Sequence, residues 1–196
     1  MSASVPSAVQ FELTAPEELE NWRPLVQWIL AIPHLIVASA LRAVAFAVLI
    51  VCFFAVLFTE KIPDGLYNFQ IMVLRYQTRV SAYAGFMHDQ YPKFEYEMMA
   101  NDPGGDPVTL SIAPQGTLNR WLPLVKWLFV IPHLIVFAVY SIGAVVLWIV
   151  NLFIILFTGK WNTNHRRYIV RVSRYGLRVW TYFLLLRDEY PSFTLD

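Results

Sequence analysis

The feature that most constrains this chain is an internal repeat with a fixed offset. Five motifs recur: an aromatic opening with a Pro, an Ile-Pro-His-Leu-Ile-Val segment, a Leu-Phe-Thr-x-Lys segment, an Arg-Tyr-x-x-Arg pair and an Asp-x-Tyr-Pro-x-Phe ending. Their first copies begin at Trp22, Ile32, Leu57, Arg75 and Asp89, and their second copies at Trp121, Ile131, Leu156, Arg174 and Asp188. Every pair is 99 positions apart (121 − 22 = 99, for example) without a gap. A constant offset predicts two units with the same fold.

The repeat defines the predicted domain organisation. Residues 1–8 form an N-terminal tail, 9–96 the first membrane repeat and 108–196 the second. A Gly-, Pro- and Asp-rich segment over 97–107 is typical of a linker.

The combined motifs resemble a bacterial membrane-protein family known as domain of unknown function 4389. The resemblance rests on the Trp/Pro/Trp opening, Ile-Pro-His-Leu-Ile-Val, Phe-Thr-Gly-Lys, Arg-x3-Arg and Asp-x-Tyr-Pro-x-Phe, and it covers nearly the whole chain twice. The first copy departs at Glu60, where the family pattern has Gly. The resemblance implies a bacterial membrane protein and implies no activity, cofactor or catalytic residue.

The composition also indicates a membrane protein. The chain is 57% hydrophobic and 15% charged, whereas soluble domains average about 45–50% and about 25%. A net charge of +1 gives no field that would attract nucleic acid, so no nucleic-acid partner is predicted. The single cysteine, Cys52, excludes a disulfide framework within the chain.

Two apolar runs, 25–59 and 124–158, predict the membrane-inserted part of a mainly helical protein. About 20 residues suffice for one crossing, so each run is too long for a single span. Arg42 and the polar stretch 140–143 lie near the two midpoints, where a charge in the bilayer centre would cost at least about 2.5–3.5 kcal/mol. We therefore predict that each run is a helical hairpin, kinked at its Ile-Pro-His proline.

A different topology remains open for the same segments. In the first copy it consists of a shallow helix to about residue 38, one span over 40–58 and a return span through 66–87. Both topologies place the termini and the linker on the cytoplasmic side, because Lys and Arg concentrate there.

Short strands are predicted at both ends of each unit. Apolar residues alternate at Val9, Phe11 and Leu13, and again at Val108, Leu110 and Ile112. This period of two is typical of a half-buried strand. The Tyr-Pro-x-Phe endings are predicted as closing strands that pair with the opening strands in a small cytoplasmic sheet.

A basic stripe predicts an amphipathic helix in each unit. Arg167, Arg171, Arg174 and Arg178 follow one another at helical spacing and fall on one face, and the first copy keeps Arg75 and Arg79. Such a helix suits a membrane surface, so these six arginines are the predicted contacts with anionic lipid headgroups or a partner. An ordinary solvated helix face is the alternative.

His34 and His133 are the only predicted candidates for a cofactor site. An ionisable group at membrane depth is a functional hypothesis by default, and two equivalent imidazoles could ligate haem or bind a quinone headgroup. The simpler interpretation is a neutral imidazole bonded to a backbone carbonyl that the neighbouring proline leaves free. No catalytic, metal-binding or nucleotide-binding motif is present, so no catalytic residue, metal or cofactor is predicted.

The function predicted from these features is that of a non-enzymatic accessory or scaffolding protein of the bacterial inner membrane. It would bind anionic lipid and a membrane protein partner, or form a homo-oligomer. A small transporter or channel built from duplicated units is one alternative, and a lipid-acting membrane enzyme is a second.

Overall fold

The structure is a computed structural model that describes residues 8–195, so nearly all of the predicted tail 1–8 lies outside it. The fold is mainly helical, as predicted, with a small two-stranded sheet. The elements are β1 (Val9–Leu13), α1 (Arg23–Leu30), α2 (Ile32–Thr59), α3 (Asp64–Ala84), β2 (Val108–Ile112), α4 (Pro123–Thr158) and α5 (Thr163–Phe183).

The predicted hairpin within each apolar run is wrong. Helix α2 continues through Arg42, and α4 continues through residues 140–143. A polar side chain does not interrupt backbone hydrogen bonds, and neither midpoint carries a Gly-Pro turn signal. Gly143 serves packing instead, because a Cβ there would lie 2.7 Å from the Tyr168 hydroxyl. By length and composition, α2 and α4 are each able to cross a membrane.

Each unit is a pair of antiparallel helices, α2 with α3 and α4 with α5. The return helix of the alternative topology, 66–87, lies close to the observed α3, although no break occurs near residue 38. In the first copy the helix is interrupted at Ala31, two residues before Pro33, whose nitrogen cannot donate a hydrogen bond. In the second copy α4 continues across Pro132.

The sheet joins the two opening strands to each other. Strand β1 pairs antiparallel with β2, and Phe11 lies opposite Leu110. These two residues are also equivalent in the repeat (110 − 11 = 99), so a pseudo-two-fold axis passes between them. The predicted opening strands are confirmed, but the predicted closing strands are wrong. The Tyr-Pro-x-Phe endings contain no strand, because their aromatic side chains pack on the helices and their prolines lack an N–H.

The same axis relates the contacts at the helix ends. The Leu19 N–H donates to the Gly159 carbonyl at 2.6 Å, and the equivalent Leu118 N–H donates to the Glu60 carbonyl at 2.9 Å. Each unit therefore begins beside the point where the long helix of the other unit ends. It follows that α1–α2 and α4 run in opposite directions.

The molecule has three layers. The strands contact α3 and α5, these helices contact α2 and α4, and in the described residues no strand contacts α2 or α4. The pseudo-two-fold axis passes through the layers from the sheet towards α2 and α4. Within this arrangement α2 and α4 keep most of their surface uncovered by the rest of the chain.

Candidate functional site

The first predicted site residue, His34, lies in a closed aromatic cluster. Its side chain is fully buried, and its Nδ1 atom lies 2.7 Å from the Tyr76 hydroxyl. The Phe94 ring stacks on the imidazole with 4.0 Å between ring centroids, and Tyr91 meets it edge-on at 4.8 Å. Helix α2 supplies the histidine, α3 supplies Tyr76, and the Tyr-Pro-x-Phe ending supplies the other two rings.

The second unit repeats this cluster around His133. The His133 Nδ1 atom lies 2.7 Å from the Tyr175 hydroxyl, Phe193 stacks on the ring at 4.1 Å, and Tyr190 lies at 4.7 Å. Each Ile-Pro-His motif thus packs against the Tyr-Pro-x-Phe ending of its own unit. The endings predicted as strands act as aromatic covers over the histidines.

The clusters fit a structural histidine better than a cofactor ligand. The bonding partner is a tyrosine hydroxyl rather than the backbone carbonyl that the simpler interpretation predicted. The Nε2 atoms of both rings are buried without a hydrogen-bond partner among the described residues. Because the rings are fully covered, haem or a quinone would have to displace the Tyr and Phe side chains to reach either nitrogen.

A buried charge network surrounds two of the predicted headgroup-binding arginines. The Arg79 guanidinium lies 2.9 Å from Asp102 and 2.8 Å from Glu95, and its Nε donates to the Val108 carbonyl. Arg75 lies 3.2 Å from Asp102 and donates to the Leu110 carbonyl at 3.1 Å. Burial lowers the pKa of Arg75, and the neighbouring Asp102 acts in the opposite direction.

The network corrects the prediction for the first basic helix. Arg75 and Arg79 are only 4% and 3% exposed, so they cannot contact lipid headgroups. The linker folds back over α3 and places Asp102 beside the two arginines. The Asp102 carboxylate also accepts a hydrogen bond from the Leu110 N–H at 2.8 Å. These arginines therefore join the helix, the sheet and the linker.

The four arginines of the second basic helix lie in two different environments. The Arg174 Nε donates to the Phe11 carbonyl at 3.0 Å, which is the symmetry equivalent of the bond from Arg75 to Leu110. Arg178 donates to the Thr194 carbonyl. Arg167 and Arg171 are exposed, whereas Arg174 and Arg178 are half-buried, so the first two have the surface position that a headgroup or partner contact requires.

Several residues of these sites were not predicted from the sequence. The available signal was that Tyr76 and Tyr175 each follow an arginine of the repeat, at positions 99 apart. Gln27 and Lys126 are likewise equivalent and buried, and they donate to the equivalent carbonyls of His88 and Arg187, which follow the return helices. No pattern in the linker indicated the role of Asp102.

The fold and these clusters define a mainly helical, tandem-repeat protein with two long apolar helices related by a pseudo-two-fold axis. The chain belongs to the family described as Domain of unknown function (DUF4389), whose model matches residues 21–95 and 121–194. The double match confirms both the family resemblance and the tandem duplication. No curated protein and no solved structure matches the chain.

Proposed function

We propose that this protein is a non-enzymatic accessory or scaffolding protein of the bacterial plasma membrane, where it binds anionic lipid and a membrane protein partner. The supporting observation is the uncovered apolar surface of α1, α2 and α4. Exposed residues include Trp28, Ile36, Phe46, Phe54 and Phe58 on α1–α2, and Trp127, Ile135, Val139, Val146 and Phe157 on α4. Contiguous apolar patches on soluble monomers rarely exceed a few hundred Å².

The layers favour an orientation in which the long helices lie in the plane of one leaflet. Helix α4 has 36 residues and is about 54 Å long, whereas the hydrocarbon core is about 30 Å thick. If α4 crossed the bilayer, the sheet beside the centres of α3 and α5 would lie at mid-depth and face lipid. Open strand edges and irregular backbone are not tolerated there. Lying in the plane leaves the sheet in water.

The same argument disfavours a transporter. Repeats that run in opposite directions are typical of secondary transporters, in which the two-fold axis lies in the membrane plane. That orientation would place the charge network of Arg75, Arg79 and Asp102 on the lipid-facing side at mid-depth. An axis along the membrane normal instead lets both units contact the same leaflet.

The exposed arginines of α5 support the partner part of the proposal. Arg167 and Arg171 lie one helical turn apart, and both are exposed. They share a helix face with Arg174, which bonds to the sheet, so in the in-plane orientation they lie on the water side of the molecule. The same pair can bind a carboxylate-bearing partner.

Two measurements on native membranes test the proposal. Alkaline carbonate extraction should leave the chain in the membrane pellet. Purification in mild detergent should retain a partner of fixed stoichiometry, which the double variant Arg167→Glu/Arg171→Glu loses. The matched control Lys61→Glu/Lys160→Glu changes as much charge at exposed sites and should keep the partner. Recovery of the chain in the soluble fraction, or purification of the unmodified chain alone, would contradict the proposal.

A further inference from the structure

A cleft of about 460 Å³ opens between the two units near the pseudo-two-fold axis. It forms where the backbones of α3 and α5 diverge, since no Cα atom of one lies within 8 Å of the other in the described residues. Phe11 from the sheet lines one side, and small residues of the helices, including Ala82 and Ala144, line the interior. Most of the lining is apolar.

One end of the cleft carries unsatisfied polar groups. A smaller cavity of about 140 Å³ shares Leu74, Gln77 and Trp180 with the cleft and adds Arg42 and Gln70. Gln70 is fully buried, and its amide nitrogen donates to the Ala45 carbonyl at 2.9 Å. Its Oε1 atom has no hydrogen-bond partner in the described chain.

Arg42 stands at this polar end. It is the one charged residue of α2, it is exposed, and it forms no hydrogen bond or ion pair with a described residue. The arginines of α3 have internal carboxylate partners, so Arg42 differs from them. A guanidinium in the apolar layer of a membrane-embedded protein is costly unless an anion accompanies it.

We propose that the cleft binds one anionic phospholipid, with the headgroup on Arg42 and an acyl chain in the apolar part. This inference rests on the proposed embedding of α2 and α4. The guanidinium supplies charge-assisted donors to the phosphate. The apolar interior, at about 460 Å³, falls within the usual size range of ligand pockets.

The repeat fixes the stoichiometry and direction of this lipid. The position equivalent to Arg42 in the second unit is Ser141, which lines the cleft but carries no charge. The cleft is therefore polarised, although the fold around it is pseudo-symmetric. One lipid binds, and its acyl chain runs from Arg42 towards Ser141.

Native mass spectrometry of the purified, delipidated full chain tests the inference. Phosphatidylglycerol should bind at a ratio of one. Phosphatidylcholine with the same chains should bind about tenfold more weakly, because its choline ammonium offsets the phosphate charge and repels the Arg42 guanidinium. Arg42→Gln should lower phosphatidylglycerol binding about tenfold, whereas Arg42→Lys should retain most of it. Lys61→Gln, which removes an exposed cation outside the cleft, is the matched control.

A second variant tests the binding of the acyl chain separately from the binding of the headgroup. Ala144→Phe fills the cleft and leaves Arg42 in place, so it should reduce binding of long-chain phosphatidylglycerol more than that of a short-chain analogue. Equal retention of both headgroups by the unmodified chain, or undiminished binding in both Arg42→Gln and Ala144→Phe, would overturn the inference. Carbonate extraction of the same proteins distinguishes this failure from a failure of membrane embedding, because a chain that stays in the pellet is embedded whether or not it binds the lipid.

Discussion

At the scale of single residues, Asp102 connects the linker to the rest of the molecule. Its carboxylate lies 3.2 Å from Arg75 and 2.9 Å from Arg79, and its backbone N–H donates to the Ser111 hydroxyl. The Asp102 side chain is only 5% exposed. Removing one member of such a group leaves uncompensated buried charge, and this cost exceeds the net contribution of the intact pair.

Asp102→Ala should therefore lower the free energy of unfolding by about 3–5 kcal/mol, measured by denaturant titration in detergent micelles. The matched control is Asp64→Ala, which removes the exposed ion pair with Lys61 and should cost no more than about 1 kcal/mol. Equal losses for the two variants would contradict the buried network.

The histidine clusters support a second prediction at this scale. Tyr76→Phe and Tyr175→Phe each remove the hydroxyl that bonds a buried imidazole, so each should destabilise the protein by about 1–3 kcal/mol. The two losses should be similar because the clusters have the same geometry. The absorption spectrum of the purified protein should be the same in both variants. A haem band that disappears with either change would restore the cofactor hypothesis.

The sequence indicated the two histidines and all six arginines, but not their partners. A stripe at helical spacing shows which face carries charge, and it does not show whether that face meets water, lipid or protein. For Arg75 the covering element is the linker, about 25 residues further along, and no local pattern specifies that contact. Arg167 and Arg171 are exposed in the described part of the chain, and their contact with a headgroup or a partner stays a prediction.

At the scale of secondary-structure elements, the two long helices end in the same way with different residues. Helix α2 ends at Glu60 with φ 57°, and α4 ends at the equivalent Gly159 with φ 68°. A left-handed residue commonly terminates a helix, and glycine adopts this conformation without steric cost. Glu60 adopts the same left-handed conformation despite its steric cost, and its carboxylate pairs with Arg120 at 2.6 Å. The departure from the family pattern at Glu60 thus preserves the helix end.

Gly159→Ala should be markedly destabilising. The left-handed conformation costs an L-residue about 1–2 kcal/mol, and the new Cβ would lie 2.9 Å from the Leu19 carbonyl oxygen. We expect a loss of at least about 2 kcal/mol in unfolding free energy. Gly116→Ala is the control, because a Cβ there meets nothing within 4 Å. If Gly159→Ala were as stable as Gly116→Ala, the crossed contact between the units would be absent in solution.

The elements themselves were predicted unevenly. The alternation of apolar and polar residues identified β1 and β2, because one face of each strand is buried. It could not identify the strand with which each of them pairs. The pairing depends on the pseudo-two-fold axis, which arises from contacts about a hundred residues apart. The hairpin prediction fails because the midpoints of the two runs are polar only in their side chains, and a polar side chain leaves the backbone hydrogen bonds of a helix intact.

At the scale of the whole molecule, the symmetry makes the two possible membrane orientations testable with four positions. Glu20 and Lys61 flank α1–α2, while Arg120 and Lys160 flank α4, and all four are exposed. Because the units run in opposite directions, Glu20 lies near the Lys160 end of the molecule, and Lys61 lies near Arg120. In-plane helices keep both ends of the molecule on one side of the membrane. Spanning helices place the two ends of the molecule on opposite sides of the membrane.

Single cysteines at these positions, in a Cys52→Ala background, should all resist a membrane-impermeant thiol reagent in intact cells and all react after lysis. The physical reason is that α2 and α4 each carry an apolar surface about 40–55 Å long, which one leaflet can cover only if the helices lie flat. The polar sheet then faces the cytoplasm, where its edges are solvated. Labelling of Lys61→Cys and Arg120→Cys in intact cells, with Glu20→Cys and Lys160→Cys protected, would refute the in-plane orientation. That pattern, or its reverse, would instead identify a spanning protein with inverted repeats.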